Sequence, residues 1–142
     1  SISPYIDVSQ KNKLSQNKQA GARKKPERVE GTLSCELPKT LVKKNDIHIT
    51  SKRNFDCFQD TELDMLLKRT LNVKNIIICG VNTDTCVYGT TFGASNRGYN
   101  PIVIECCTGS MRGEDQHKTA LKIMSQSIAW VMKKEEILNK LN

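Results

Sequence analysis

The chain has 142 residues, with 22 Lys and Arg against 15 Asp and Glu and a formal net charge of +7. That length holds one domain with a hydrophobic core and leaves little room for a second. No apolar run approaches the roughly 20 residues of a membrane span. The positive charge comes without an RNA-binding sheet signature or zinc-finger spacing, which argues against membrane and nucleic-acid partners.

Much of the charge excess sits in Lys11, Lys13, Lys18, Arg23, Lys24, Lys25 and Arg28. Residues 1–27 are rich in Ser, Gln, Asn and Lys and read as a basic flexible arm or loop, leaving 28–142 as the folded domain. Between Thr32 and Leu41 one short helical turn is expected, limited by Pro38. Asp46–Thr50 alternates as a strand, and Ser51–Asp60 is a loop carrying Lys52, Phe55 and Phe58. Thr61, Glu62 and Asp64 open a helix whose apolar face is Leu63, Leu66, Leu67 and Leu71, and Asn72 ends it.

The strand Asn75–Val81 follows, with four consecutive apolar residues that suit burial on both faces of a parallel sheet. A helix is expected from about Thr85 to Asn96, with Asp84 or Thr83 as its cap and Gly98 as its stop. Pro101–Cys106 is the next strand, and Gly109–Gly113 turns the chain. Glu114–Val131 then forms an amphipathic helix with Leu121, Ile123, Met124, Ile128 and Trp130 available for packing, and a short helix spans Lys134–Leu141. Strands alternating with helices at these spacings predict an α/β fold: three layers, helix on sheet on helix, around a parallel sheet.

In such sheets sites form beyond the carboxyl ends of the strands. Cys86 lies just past one such end and Lys52 just past another. A thiol at a strand-to-helix turn meets unpaired backbone N–H groups and the positive end of a helix, which favour a thiolate. Cys86 is therefore the candidate nucleophile, although a cysteine in that position is by itself more often a small buried residue. The six cysteines lack paired C-x-x-C spacing, and His48 and His117 lie far apart, so zinc is not supported. With no secretory segment ahead of them they read as reduced thiols of a cytoplasmic protein. Adjacent Cys106 and Cys107 fit a strand end better than a redox pair, Glu30 and Arg28 fit loop bracing, and His117 fits packing or surface.

Four segments resemble the isochorismatase-like cysteine hydrolases, which include nicotinamidases and carbamoylsarcosine amidases. They are Arg28-Val29-Glu30-Gly31-Thr32, Lys52 through Phe58 to Thr61-Glu62-Leu63, Gly80-Val81-Asn82-Thr83-Asp84-Thr85-Cys86-Val87, and Gly98-Tyr99. The resemblance implies hydrolysis of a small amide or ureido substrate by Cys86, with Lys52 as its cationic partner. It further implies a cis peptide at Val81-Asn82, the backbone N–H groups of Asn82 and Cys86 as oxyanion donors, and Phe58 as a pocket wall or a packed loop anchor. A thiolate attacks the carbonyl, a nearby ammonium favours that thiolate, and the N–H pair stabilises the tetrahedral oxyanion.

The family's catalytic Asp ends a first strand that a helix and a second strand separate from the region matching Arg28. Asp7, in Tyr5-Ile6-Asp7-Val8-Ser9-Gln10, resembles that motif superficially but lies too near Arg28. The first strand, its helix and the Asp are therefore expected to be missing, which would leave a sheet edge open and the acid–base part of the reaction impaired. No cofactor or metal is expected, since the nicotinamidase-type ligand set of an Asp with two histidines is absent. The partners expected are a small-molecule substrate and further copies in a homo-oligomer. The alternative is a non-catalytic interaction protein built on the same fold.

Overall fold

A computed structural model of the chain describes residues 2–4, 33 and 38–141, in two compact units, Ser1–Asn54 with Gln59–Glu62, and Phe55–Phe58 with Leu63–Asn142. In the first unit, strand β1 (Ile2–Pro4) pairs in parallel with β2 (Ile47–Ile49), Ile2 opposite Ile47 and Pro4 opposite Ile49. Ile49 is the buried residue of β2. β1 lies at the start of the stretch read as an arm or loop, and three residues are too few for alternation to register in a sequence; the rest of 1–27 lies outside the described residues. Asp7, the basic cluster and the Arg28–Thr32 segment lie outside the described residues.

The second unit opens with α1 (Leu63–Met65), which widens into a π-helical turn over Leu66–Thr70 closed by Leu71 N–H on Leu66 O at 3.0 Å. Leu63 and Leu67 are its buried residues, and Asn72 breaks it with φ of +48°, a left-handed conformation Asn tolerates. Strand β3 (Asn75–Val81) pairs in parallel with β4 (Asn100–Gly109), and β4 with β5 (Trp130–Met132). Helix α2 (Tyr88–Asn96) connects β3 to β4, α3 (Glu114–Ser127) connects β4 to β5, and α4 (Lys134–Leu141) packs on β4. Every strand pair is parallel and the helices alternate with the strands, as an α/β fold requires.

Strand β5 was not foreseen; the expected helix over Glu114–Val131 stops at Ser127. The buried positions of α3 are His117, Ala120, Leu121 and Met124, a helical spacing that ends at Met124. The β-branched and aromatic residues beyond it suit a strand. Ile123 and Trp130, expected to pack, are 43% and 59% exposed.

A second correction concerns β3. It pairs with β4 alone among the described residues, and Ile77 and Val81 are 45% and 57% exposed, so it is not buried on both faces. Register places Ile77, Ile102 and Trp130 in one row across the three strands, and this row lies on the less covered face. The opposite face, with Ile78 and Val103, is buried beneath the helices. Val103, Ala94 and Met124 have no exposed surface and mark the centre of this core.

Candidate active site

The end of β3 carries the candidate nucleophile. Gly80 has φ of +133°, a conformation that only Gly adopts readily, and the Val81–Asn82 peptide that follows is cis, as the resemblance implies. Asn82 is extended, and its carbonyl accepts the N–H groups of Thr85 (3.2 Å) and Val87 (3.1 Å). The chain therefore turns first through a π-helical turn, Thr83–Val87, and only then enters α2, two to three residues later than the sequence suggests. Cys86 is half-buried within that turn.

Neither Thr83 nor Asp84 caps the helix. No side chain caps the turn, and both residues reach instead to the segment that leads into α3. Thr83 Oγ1 and His117 Nδ1 share a buried hydrogen bond of 2.8 Å. Asp84 accepts from Ser110 Oγ at 2.7 Å and from Arg112 Nη1 at 2.5 Å, while Asn82 Oδ1 accepts the Met111 N–H at 2.9 Å. Burial would raise the Asp84 carboxyl, but hydrogen bonds from Ser110, its own backbone and Arg112, with the charge of Arg112, hold it below the usual carboxylate range. Asp84 is thus an ionised acceptor committed to holding the elbow, not a proton donor to a substrate.

Three consecutive residues, Asn82, Thr83 and Asp84, are therefore fastened to Ser110–His117. The sequence reading missed this role for Asn82, Asp84 and His117. Their partners lie 26 to 34 positions away, so no local spacing marks them.

Lys52 belongs to the other unit. It is 1% exposed, and its Nζ has no hydrogen-bond partner among the described residues. Its loop is well fixed: Arg53 Nη1 donates to the carbonyls of Thr50 (2.8 Å) and Lys52 (3.1 Å), and the Ser51 hydroxyl donates to Glu62. An ammonium buried without a partner opposes folding. No structural contact of the described residues accounts for its placement.

Phe58 is 4% exposed, stacked on Tyr99 at 5.5 Å between ring centroids, with the Arg97 guanidinium 4.9 Å over its ring. Its loop is pinned to α2 by Asp56, whose carboxylate accepts the Phe58 N–H (2.9 Å) and Arg97 Nη1 (3.4 Å). The loop can come this close because α2 has Gly at 89 and 93; a Cβ on Gly93 would lie 2.4 Å from Asp56 Oδ2. The hydroxyl of Thr90 accepts the Cys57 N–H at 3.2 Å. Among the described residues no group of three His, Cys, Asp or Glu could hold a metal ion, and no helix is long and apolar enough to cross a membrane.

With this geometry in hand, comparison with known proteins is direct. The model of the isochorismatase domain matches residues 5–136. The chain belongs to the isochorismatase family. The family match starts well before Arg28, where the resemblance in the sequence begins. Among curated isochorismatase family proteins, YecD of Escherichia coli O157:H7 is 33% identical over 97 residues, which is 68% of this chain and 50% of YecD. The chain spans about half the length of the curated relatives it matches.

Solved structures share the fold. An isochorismatase-like hydrolase from Alkaliphilus metalliredigens superposes with a TM-score of 0.84 at 22% identity, over 99% of this chain and 72% of its own. The nicotinamidase SaPncA from Staphylococcus aureus gives a TM-score of 0.66 at 30% identity, over 72% of this chain and 68% of its own.

Proposed function

We propose that this chain carries the thiol and ammonium of a cysteine hydrolase that cleaves a carbon–nitrogen bond in a small amide or ureido substrate. Cys86 Sγ attacks the carbonyl carbon, the amine departs as the C–N bond breaks, and water then hydrolyses the thioester. The backbone N–H groups of Asn82 and Cys86 receive the oxyanion, and Lys52 supplies the positive charge that supports the thiolate and the developing negative charge. Phe58 lines or braces the substrate pocket. The observation that carries this reading is the buried Lys52 ammonium with no hydrogen-bond partner among the described residues. A protein maintains such a group where function uses its charge.

The departing amine must gain a proton, and Asp84 is unsuited to give it because its oxygens are held by Ser110 and Arg112. With the catalytic Asp that the resemblance calls for not found, turnover by this chain is expected to be slow. A panel of primary amides and N-carbamoyl compounds, assayed by ammonia release, tests the proposal. Weak turnover that Cys86→Ser abolishes and Asp7→Asn leaves within about twofold is expected. Turnover that survives Cys86→Ser removes the nucleophile assignment, and a drop of about 10²-fold in Asp7→Asn makes Asp7 the missing acid–base group.

A second reading has its own support. The exposed row of Ile77 and Trp130 and the side of β3 that pairs with no strand among the described residues suit association with other copies, as a non-catalytic oligomer subunit would require. Stable association with no thiol-dependent turnover on any of these substrates selects that reading.

A further inference from the structure

The β3–β4 ladder is interrupted just before the elbow. Its register runs from Asn75 opposite Asn100 to Ile78 opposite Val103, and resumes with Gly80 opposite Thr108. Between these points β3 contributes one residue, Cys79, and β4 contributes Ile104, Glu105, Cys106 and Cys107. The surplus must bulge from the ladder. The bulge therefore holds Cys106 and Cys107 opposite Cys79, and all three are exposed. Cys79 directly precedes Gly80 and Cys107 directly precedes Thr108, the pair at which the ladder resumes, so these two are the cysteines the register brings side by side, and none of the three belongs to the elbow network.

We propose that Cys79 and Cys107 are an oxidative modification site: on meeting a hydroperoxide they join in a reversible disulfide across the β3–β4 bulge. The pair one residue on, Gly80 opposite Thr108, holds the two strands at the ladder spacing of about 4.8 Å, and a disulfide spans Cα separations of about 4.4–6.8 Å. Sequence neighbours such as Cys106 and Cys107 have Cα atoms only about 3.8 Å apart, short of that range. One thiolate attacks the peroxide, the O–O bond breaks, and a sulfenic acid and one water result after protonation. The second thiol then attacks that sulfur, the S–O bond breaks, and the oxygen leaves as a second water. Two thiols and one hydrogen peroxide thus give one disulfide and two waters.

Although the residue keeps exposed surface, partial burial of its sulfur, with Cys107 and Cys106 beside it, pushes the Cys79 thiol up to about 11. Cys107 is also raised, by partial burial and by Cys106, with Cys79 and then Lys134 acting in the opposite direction. The thiolate is the reacting form, so oxidation quickens as pH rises. The bond would fix the bulge to β3 one residue before Gly80. The strand ends that carry the Cys86 turn would then be held by a covalent tie as well as by hydrogen bonds.

The test is peptide mapping of the whole chain under non-reducing conditions after exposure to hydrogen peroxide and alkylation of the remaining thiols. The expected product is a Cys79–Cys107 peptide pair that dithiothreitol separates, formed faster at alkaline than at neutral pH. It should persist in Cys106→Ser and in Cys86→Ser and vanish in Cys107→Ser. Cys79 remaining fully alkylated, or pairing instead with Cys106 or with another molecule, overturns the proposal.

Discussion

The elbow and the Lys52 loop, one in each compact unit, treat polar groups in opposite ways. At the elbow, Asn82, Thr83 and Asp84 each hydrogen-bond to the segment Ser110–His117. At Lys52, a comparably buried ammonium makes no hydrogen bond among the described residues. The elbow is built so that its polar side chains contribute to stability, and Cys86 inherits a fixed backbone. A buried ammonium without a partner opposes stability, which agrees with the proposed use of its charge. Under the proposed function, the contrast separates groups that position the elbow from a group kept for chemistry.

The sharpest way to break the contrast is Lys52→Met, which keeps the stem and removes the charge. Turnover should fall by about 10²–10³-fold, the usual scale for losing a group that stabilises developing charge. Stability should rise by about 1–4 kcal/mol, as when buried charges give way to packed apolar groups. Denaturant melts beside the ammonia assay check both. A Lys52→Met protein that is less stable than the parent would mean the ammonium serves the fold.

Thr83→Val asks the opposite question of the elbow. The shape is kept, Thr83 has no exposed surface, and the His117 ring loses its hydrogen bond inside the protein. A loss of about 1–3 kcal/mol is expected, the cost of leaving a buried polar group unpaired. Alkylation of Cys86 by iodoacetamide should change with it, since the turn that carries the thiol loosens. Unchanged stability would place His117 in water.

Gly93→Ala applies the same logic to the Phe58 loop. The new Cβ would meet the Asp56 carboxylate, which cannot retreat without releasing the Phe58 N–H or Arg97. The expected cost is about 1–3 kcal/mol from overpacking, read from the same melts. A neutral substitution would show that the loop yields.

These expectations also show which features a single sequence exposes. The strand Asn75–Val81 and the helix Lys134–Leu141 were legible to the residue, because an apolar run bounded by Asn and Gly, and a charged amphipathic stretch, are local patterns. The place of Cys86 beyond a strand end was equally legible. β5 was hidden because three residues directly after a helix continue its apolar character. The exposure of Ile77 and Val81 was hidden because it depends on what pairs with β3, a fact of topology that no window of sequence contains. The Asn82, Thr83 and Asp84 contacts were read as helix capping because capping is the local use of such residues. Their actual partners come from the other side of β4.

The smallest effect tests the outermost member of the elbow network. Arg112 is 58% exposed, so its ion pair with Asp84 is screened by solvent, and Arg112→Ala should cost less than about 1 kcal/mol at neutral pH. The sign of its pH dependence is fixed by Asp84, whose carboxyl is lower in the folded chain than its ordinary value. A group depressed by folding stabilises above its unfolded value, and that contribution disappears as pH falls through the folded value. The difference between parent and Arg112→Ala should therefore be constant from neutral pH down to the ordinary Asp range and vanish below it. Melts in a series of acidic buffers give the result. A difference that persists in strong acid would assign the effect to packing of the Arg112 stem, leaving Ser110 and Met111 to hold the elbow without help from charge.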